Sequence, residues 1–140
     1  MSTFTAFFAQ NKLQTPNVKY VASKNFIGED GKPIEWELRK LTKTENNALI
    51  KKCTRTITLR DGSRIKETDQ QQYADELIAA SVVFPNLKDA ALQDSYHVMG
   101  EVNLLNEMLS IGEYADLGLE VRKLNDLDED INKLVEEAKN

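Results

Sequence analysis

Polar and apolar residues alternate along three short stretches of the N-terminal half, and this period of two is typical of half-buried β-strands. The first two stretches are separated by Gly28-Glu29-Asp30-Gly31, which favours a turn because glycine tolerates positive φ. We therefore predict an antiparallel hairpin with Trp36 on its buried face. The alternating positions are Val18, Tyr20 and Ala22; Ile34, Trp36 and Leu38; and Arg55, Ile57 and Leu59.

The third stretch leads into Asp61-Gly62, a dipeptide typical of tight hairpin turns. Its return strand, residues 64–67, is short and charged, which suits the edge of a sheet. The basic side chains of this hairpin could form a phosphate-binding patch, but the alternating threonines and the nearby acids favour an ordinary exposed hairpin. These basic residues are Arg55, Arg60, Arg64 and Lys66.

Between the second and third stretches, Thr42 and Glu45 have the spacing of a capping box, so a helix is predicted from there to about Cys53. Its inward positions are expected to be Ala48, Leu49 and Cys53.

After Thr68 the apolar period becomes that of a helix, and Thr68 with Gln71 gives a second possible capping box. Pro85 should stop this helix near Val83. A turn or two of helix is expected within residues 87–93, and a further helix from about Val98, with Gly112 as its C-terminal cap. The residues of this region expected in the core are Leu77, Ile78, Val82, Val98, Val102 and Leu105.

Both ends of the chain carry apolar patterns with two interpretations. Phe4, Phe7 and Phe8 would share one helix face, which we expect to pack on the core; an aromatic anchor for a partner is the alternative. Near the C-terminus a heptad-like seam is either an amphipathic helix on the domain or a self-association or partner-helix seam, and residues 125–128 could split it in two. The seam comprises Tyr114, Leu117, Val121, Leu124, Asp128, Ile131, Val135 and Ala138.

These elements define an α+β fold with a small antiparallel sheet in the N-terminal half and a helical C-terminal half. The chain has 140 residues, 41% of them hydrophobic, which suits one domain with a core of its own.

Residues 1–112 hold 14 acidic and 14 basic residues, whereas residues 113–140 hold 9 acidic and 4 basic ones. This acidic end argues against nucleic acid as a partner. No run is long enough for a membrane span, and the N-terminus lacks the positively charged segment and continuous apolar stretch of a signal peptide, so we expect a cytoplasmic protein.

No catalytic or metal-binding constellation is recognisable in the sequence. Phosphate-binding loops and HExxH are missing, and Cys53 and His97, the single cysteine and the single histidine, cannot build the usual zinc site. We therefore predict that the protein is not an enzyme and that it has no cofactor, metal site or catalytic residues.

Several segments together resemble the XkdN-like tail assembly chaperones of phages and prophages of Gram-positive bacteria. They are NVKYVASKNF (17–26), DGKPIEWELR (30–39), VVFPNL (82–87), ALQDSY (91–96), VMG (98–100) and GEYADL (112–117). The resemblance implies a chaperone-like domain over residues 1–125. The family usually ends near that point, so residues 126–140 depart from its pattern, and we expect them to form an acidic C-terminal helical extension. At the position of His97 the family usually has a small residue, often glycine.

The resemblance also implies a function. Such a chaperone binds the tape measure protein in the host cytoplasm and keeps it soluble during tail morphogenesis. It is absent from the mature virion, and a frameshifted longer form often recruits tail tube protein. Two alternatives remain: a structural tail component of the tail-completion type, and a generic protein-binding adaptor.

A holdase needs apolar surface with a charged rim, and docking of a client helix in a groove is the natural mode. We expect helices within residues 77–109 to form that groove. The candidate contacts are Phe84, Leu87, Tyr96 and Met99, each of which could instead belong to the core.

Overall fold

The computed structural model of the chain describes residues 3–127, and a three-stranded antiparallel sheet lies at the centre of this part. Its strands are β1 (Val18–Tyr20), β2 (Trp36–Leu38) and β5 (Val82–Phe84), with β2 in the middle. Tyr20 pairs with Trp36 across β1 and β2, as the predicted hairpin requires. Leu38 pairs with Val82 across β2 and β5, next to an irregularity in the register.

A second, two-stranded sheet is formed by β3 (Thr54–Thr58) and β4 (Arg64–Thr68), joined by the predicted turn at Asp61-Gly62. Gly62 has φ +86°, which explains the glycine there. The four basic residues of this hairpin are all exposed, which confirms the prediction of an exposed hairpin.

Within residues 3–127 the structure has two short 3₁₀ helices and five α-helices. Two short 3₁₀ helices come first, at Thr3–Phe7 and Ala9–Asn11. The α-helices are α1 (Lys43–Lys52), α2 (Gln70–Ser81), α3 (Ala90–Ser95), α4 (Glu101–Met108) and α5 (Ile111–Leu124). The α+β fold class is therefore confirmed, although the third strand of the central sheet, β5, comes from the C-terminal half.

Of three predicted helix caps, one agrees with the structure and two differ. Thr42 and Glu45 form a complete capping box at α1, as predicted. For α2 the prediction is one residue early, because the side chain of Asp69 is the acceptor from Gln72 N. Gly112 is not a C-terminal cap: it lies in the first turn of α5, whose capping box is formed by Ser110 and Glu113.

The core lies between the sheet and helices α2, α4 and α5. Trp36 and Leu38 enter it from β2, and the predicted core residues Leu77, Ile78 and Leu105 are buried. Val82, Val98 and Val102 are partly buried against it, whereas Ala48, predicted to face inward, is exposed. The buried cluster is Ala22, Trp36, Leu38, Leu77, Ile78, Ala79, Leu87, Leu104, Leu105, Met108, Leu109, Leu117 and Val121.

The described part of the C-terminal seam is used inside the domain. Leu117 and Val121 are fully buried, and Tyr114 and Leu124 pack against the core. For these residues the amphipathic helix on the domain is the correct interpretation, and the helix ends at Leu124. Asp128, Ile131, Val135 and Ala138 lie outside the described residues, as does most of the predicted extension, so the division at residue 125 stays a prediction. No helix within residues 3–127 is long and apolar enough to cross a membrane.

Candidate functional site

An uncharged groove opens between the central sheet and α3, and we call it the sheet–α3 groove. Trp36 and Met108 are its most buried lining residues, at 2% and 9% exposure, whereas Ile34 and Phe84 are 38% and 44% exposed. An apolar side chain of a partner could therefore enter the groove without displacing the domain's own core. The lining residues are Phe26, Ile34, Trp36, Phe84, Pro85, Leu92, Ser95, Tyr96 and Met108.

Local hydrogen bonds hold the α3 wall of this groove in place. Asp89 caps α3 by accepting a bond from Leu92 N at 2.8 Å. The side chain of Gln93 donates to Leu87 O at 2.8 Å and accepts from Gly100 N at 3.0 Å, so it ties both flanking turns to the helix. A wall fixed in this way is preorganised for binding, because little conformational freedom is left to lose.

Two of the four predicted contact residues meet in the sheet–α3 groove. Phe84 lines it at the end of β5, and Tyr96, which is partly buried, lines it just after α3. Leu87 is only 3% exposed and belongs to the buried cluster, so for Leu87 the core alternative applies. Met99 is 85% exposed and lies outside the groove lining.

Sequence reasoning missed several residues of the groove. Ile34 and Trp36 alternate along one stretch, so the period of two could have placed Ile34 beside the tryptophan. Phe26, Leu92 and Met108 come from three other segments, and only the tertiary fold brings them together.

A second groove runs between α2 and α5, and we call it the α2–α5 groove. Its two walls are α2, part of which lies within residues 77–109, and α5, which lies outside that range. Gly118 lets the helices approach closely, because a Cβ at this position would lie 3.3 Å from Ile78 Cδ1. The lining residues are Gln70, Tyr73, Ala74, Leu77, Ile78, Tyr114, Ala115, Gly118, Leu119, Arg122 and Leu127.

A hydrogen bond joins the two helices that form the walls of the α2–α5 groove. Tyr114 Oη donates to Asp75 Oδ1 at 2.5 Å. Burial, together with the neighbouring Asp75 carboxylate, raises the pKa of Tyr114. The phenol therefore stays protonated and remains a donor throughout the physiological range.

A third opening, which we call the polar cleft, carries charged side chains. Three of its charged lining residues take part in ion pairs: Arg39 binds Glu45, with the nearest atoms 2.6 Å apart, and Lys52 binds Glu76 at 3.0 Å. The hydrogen bonds from Arg39, and then that from Thr42 N, lower the pKa of Glu45 to about 2. The charged lining residues are Arg39, Lys52, Glu76, Lys88 and Glu101.

The cysteine next to this cleft is poorly suited to act as a nucleophile. Cys53 is 3% exposed, and burial followed by the nearby Glu76 carboxylate raises the pKa of its thiol. A protonated thiol attacks poorly, because the thiolate is the reactive form. Within residues 3–127, no cluster of three or more His, Cys, Asp and Glu side chains could hold a metal ion.

The N-terminal rings do not pack on the core, so that expectation is wrong. Phe4, Phe7 and Phe8 are 71%, 80% and 41% exposed, and Leu13 is 90% exposed. Phe4 and Phe8 contact each other edge to face, with ring centroids 5.6 Å apart. The aromatic-anchor alternative therefore remains for this segment, which we call the aromatic arm (residues 3–13).

The described residues form open grooves with largely apolar linings, and sequence comparison gives the family. The profile of the phage XkdN-like tail assembly chaperone proteins matches residues 4–139. The chain therefore belongs to this family, which is a family of assembly chaperones and not of enzymes.

Individual relatives support this assignment. The XkdN protein of the phage-like element PBSX of Bacillus subtilis is 27% identical over 137 residues, covering 96% of this chain and 93% of its own. The B. subtilis protein YqbN is 27% identical over 135 residues, covering 96% and 91%. A crystal structure of YqbN superposes with a TM-score of 0.75 and covers 89% of this chain and 97% of its own. The aligned residues of that superposition are 20% identical, so the likeness shows a shared fold.

Proposed function

We propose that this chain binds the tape measure protein of a phage tail in the host cytoplasm. It keeps that protein soluble during tail morphogenesis and is absent from the mature virion. Family membership supports the chaperone class, and the uncharged, open sheet–α3 groove is the observation that carries the proposed mode of binding.

The sheet–α3 groove suits an apolar ridge of a client helix. None of its nine lining residues carries a charge, so a leucine or phenylalanine side chain can enter without removing water from a charged group. Client side chains spaced i, i+3, i+4 and i+7 would present such a ridge. Phe84 and Tyr96 are the predicted contacts that would touch it.

Magnitudes indicate that one groove is not enough for tight binding. Full burial of two large apolar side chains yields about 3–6 kcal/mol at about 1.5–3 kcal/mol each. A Kd of about 1 μM corresponds to about 8 kcal/mol. We therefore propose that the exposed rings of the aromatic arm add a second contact and that many copies line one long client, so that avidity supplies the remainder.

Two neighbouring residues of β5 provide a matched test of the proposal. Phe84 (44% exposed) lines the sheet–α3 groove, whereas Val83 (39% exposed) lines the polar cleft. Phe84→Glu places a carboxylate where the client's apolar ridge should be buried, and Val83→Glu adds the same charge outside that groove. Both positions are exposed enough for the fold to tolerate the change, which the thermal unfolding of each variant checks.

The tape measure protein is co-expressed with the wild type, with each variant, and alone, and its soluble fraction is measured. We expect the wild type and Val83→Glu to keep the client soluble. Phe84→Glu should weaken binding about tenfold or more, which corresponds to about 1.4 kcal/mol. Equal client solubility with and without the wild-type chain would refute the holdase proposal, and equal behaviour of the two variants would refute the groove assignment.

The same phage system separates the alternatives. Mass spectrometry of purified particles should detect no copies of this chain, whereas a structural tail component would be retained in stoichiometric amounts. A generic adaptor would instead capture other proteins in a pull-down. A frameshifted longer form that recruits tail tube protein belongs to the same proposal, and it would appear as a larger product that shares the N-terminal sequence of this chain and continues in a second reading frame.

A further inference from the structure

The aromatic arm and the sheet–α3 groove are both open in the same chain. Phe4 and Phe7 of the arm are 71% and 80% exposed, and Phe84, which lines the groove, is 44% exposed. Among the described residues, none of the nine that line the groove belongs to the arm. The chain therefore carries an apolar projection and an apolar recess that do not meet within one molecule.

Hydrogen bonds within the arm hold its rings in one arrangement. Phe8 N donates to Thr5 O at 3.1 Å. Asn11 donates from its backbone to Phe8 O at 2.9 Å and from its side chain to Thr5 O at 2.7 Å. A 3₁₀ helix has about three residues per turn, so Phe4 and Phe7 lie on one side of the first one. Since Phe4 also contacts Phe8 edge to face, the arm presents its rings as a single ridge.

This ridge of phenylalanines matches the sheet–α3 groove in charge, spacing and size. Residues 3–11 carry no charged side chain, and neither does the lining of the groove. Phe4, Phe7 and Phe8 have the i, i+3, i+4 spacing of an apolar ridge that docks in a groove. The groove has a volume of about 480 Å³. A cavity of about 150 Å³ can hold one benzene ring, so two rings of the arm can enter the groove together.

The area of such a contact indicates that it is weak and exchangeable. An aromatic side chain buries about 150–250 Å², so two rings bury about 300–500 Å² of the arm. A stable interface of standard size buries about 800 Å² on each partner. A contact of the smaller size can join two copies at high concentration and still be displaced by a larger client.

We propose that the aromatic arm of one copy docks its phenylalanine ridge in the sheet–α3 groove of a second copy when no client is bound. The arm and the groove are different surfaces, so each copy can give an arm to one neighbour and receive an arm from another. A docked arm covers apolar surface that would otherwise be exposed to solvent. Client binding in the groove would release the arm and free its rings for the second client contact. This last step rests on the proposed function, whereas the contact between copies does not.

Sedimentation velocity of the full-length chain at a series of concentrations, without any client, tests this contact. We expect the sedimentation coefficient of the wild type to rise with concentration. Phe7→Glu places a charge on the ridge and Phe84→Glu places one in the groove, so each should weaken self-association about tenfold or more, as loss of a buried interface anchor does. Two controls should leave it unchanged. They are Ile111→Glu, at a position 94% exposed outside the arm and the groove, and Val83→Glu, on the polar-cleft side of β5.

Mixing the two disrupted variants makes the test specific. Phe7→Glu keeps an intact groove and Phe84→Glu keeps an intact arm, so an equimolar mixture should form a complex with one copy of each that grows no further. In isotope-labelled Phe7→Glu, the addition of unlabelled Phe84→Glu should shift the amide signals of Ile34 and Tyr96, which line the groove. The amide signal of Ile111 should not shift. Thermal unfolding of each variant checks that it is folded.

Three outcomes would overturn the proposal. If the mixture stays monomeric, the arm does not bind the groove of another copy. If either control weakens self-association as much as Phe7→Glu does, the copies meet through a different surface. If the groove signals of the wild type and Phe7→Glu differ at dilutions where both are monomeric, the arm occupies the groove of its own chain. No client is present in these experiments, so this inference and the proposed function can fail separately.

Discussion

Consecutive residues of one short strand face two openings of opposite character. Phe84 of β5 lines the sheet–α3 groove, which has no charged lining residue, and Val83 lines the polar cleft, which has five. An apolar side chain entering the first gains about 25 cal/mol for each Å² of apolar surface buried. In the second it would remove water from charged side chains, which costs free energy. Under the proposed function, this difference would direct the apolar client to the groove side of the strand.

The two openings also depend on different forces within the domain itself. The groove is built on core residues, above all Trp36, so its shape is coupled to the stability of the fold. The cleft is held by ion pairs that are partly exposed, and such pairs contribute little. Substitutions of the buried groove residues, such as Trp36, should therefore change stability much more than substitutions in the cleft.

The largest effect is expected from Trp36→Ala, at the base of the sheet–α3 groove. Trp36 is 2% exposed, and removing such a side chain typically destabilises a protein by about 3–5 kcal/mol through lost burial and a cavity. Urea unfolding measures the change. Leu59→Ala, at a position 41% exposed in the β3–β4 region, is the control and should cost about 1 kcal/mol or less. If the two variants lose similar free energies of unfolding, the buried base of the groove does not stabilise the fold more than the exposed surface does.

A smaller effect is expected from Glu45→Gln beside the polar cleft. Glu45 has a pKa of about 2 when folded against an ordinary 4.5, so its ion pair with Arg39 stabilises the fold above pH 4.5. This stabilisation is lost as the pH falls from 4.5 towards 2. Because both side chains are more than a third exposed, we expect only about 1 kcal/mol at pH 7.

Unfolding of wild type and Glu45→Gln at several pH values measures that difference. Glutamine keeps the capping box with Thr42, so the comparison isolates the charge. The gap between the two proteins should narrow below pH 4.5. A gap that does not change with pH would refute the assigned cause.

Local chemistry explains how much of this fold could be predicted from the sequence. Alternation placed β1 and β2, Asp61-Gly62 placed the second hairpin, and Thr42 placed the start of α1, because each depends on neighbouring residues only. The cap of α2 was misplaced by one residue because Asp69 competes with Thr68 for that role. His97 has φ +58°, which explains on physical grounds why glycine suits its position.

What could not be predicted depends on distant partners. Residues 82–84 continue an apolar run. They form a strand because their backbone pairs with one edge of β2. The N-terminal rings have a helical spacing, yet no part of the described core receives them. Phe84 and Tyr96 of the candidate site were found from the sequence, whereas Met108 enters through packing of α4 alone.

The smallest effect is expected from Lys52→Met, which removes the ion pair across the polar cleft. Lys52 lies 3.0 Å from Glu76, and their side chains are 58% and 19% exposed. Methionine keeps the apolar stem of lysine, so the change isolates the charge. Exposed pairs of this kind are worth about 0.2–1 kcal/mol, and we expect the lower end because the lysine is largely hydrated.

A double-mutant cycle with Glu76→Gln measures the coupling between the two side chains, which should be about 0.5 kcal/mol or less. The coupling should fall further in 1 M salt, where the screening length is only about 3 Å. A coupling of about 2 kcal/mol that persists in high salt would mean that the ion pair holds the cleft as rigidly as core packing holds the groove. Client selection could then no longer be assigned to the contrast across β5, because a rigid, dehydrated cleft could bind a charged partner as readily as the groove binds an apolar one.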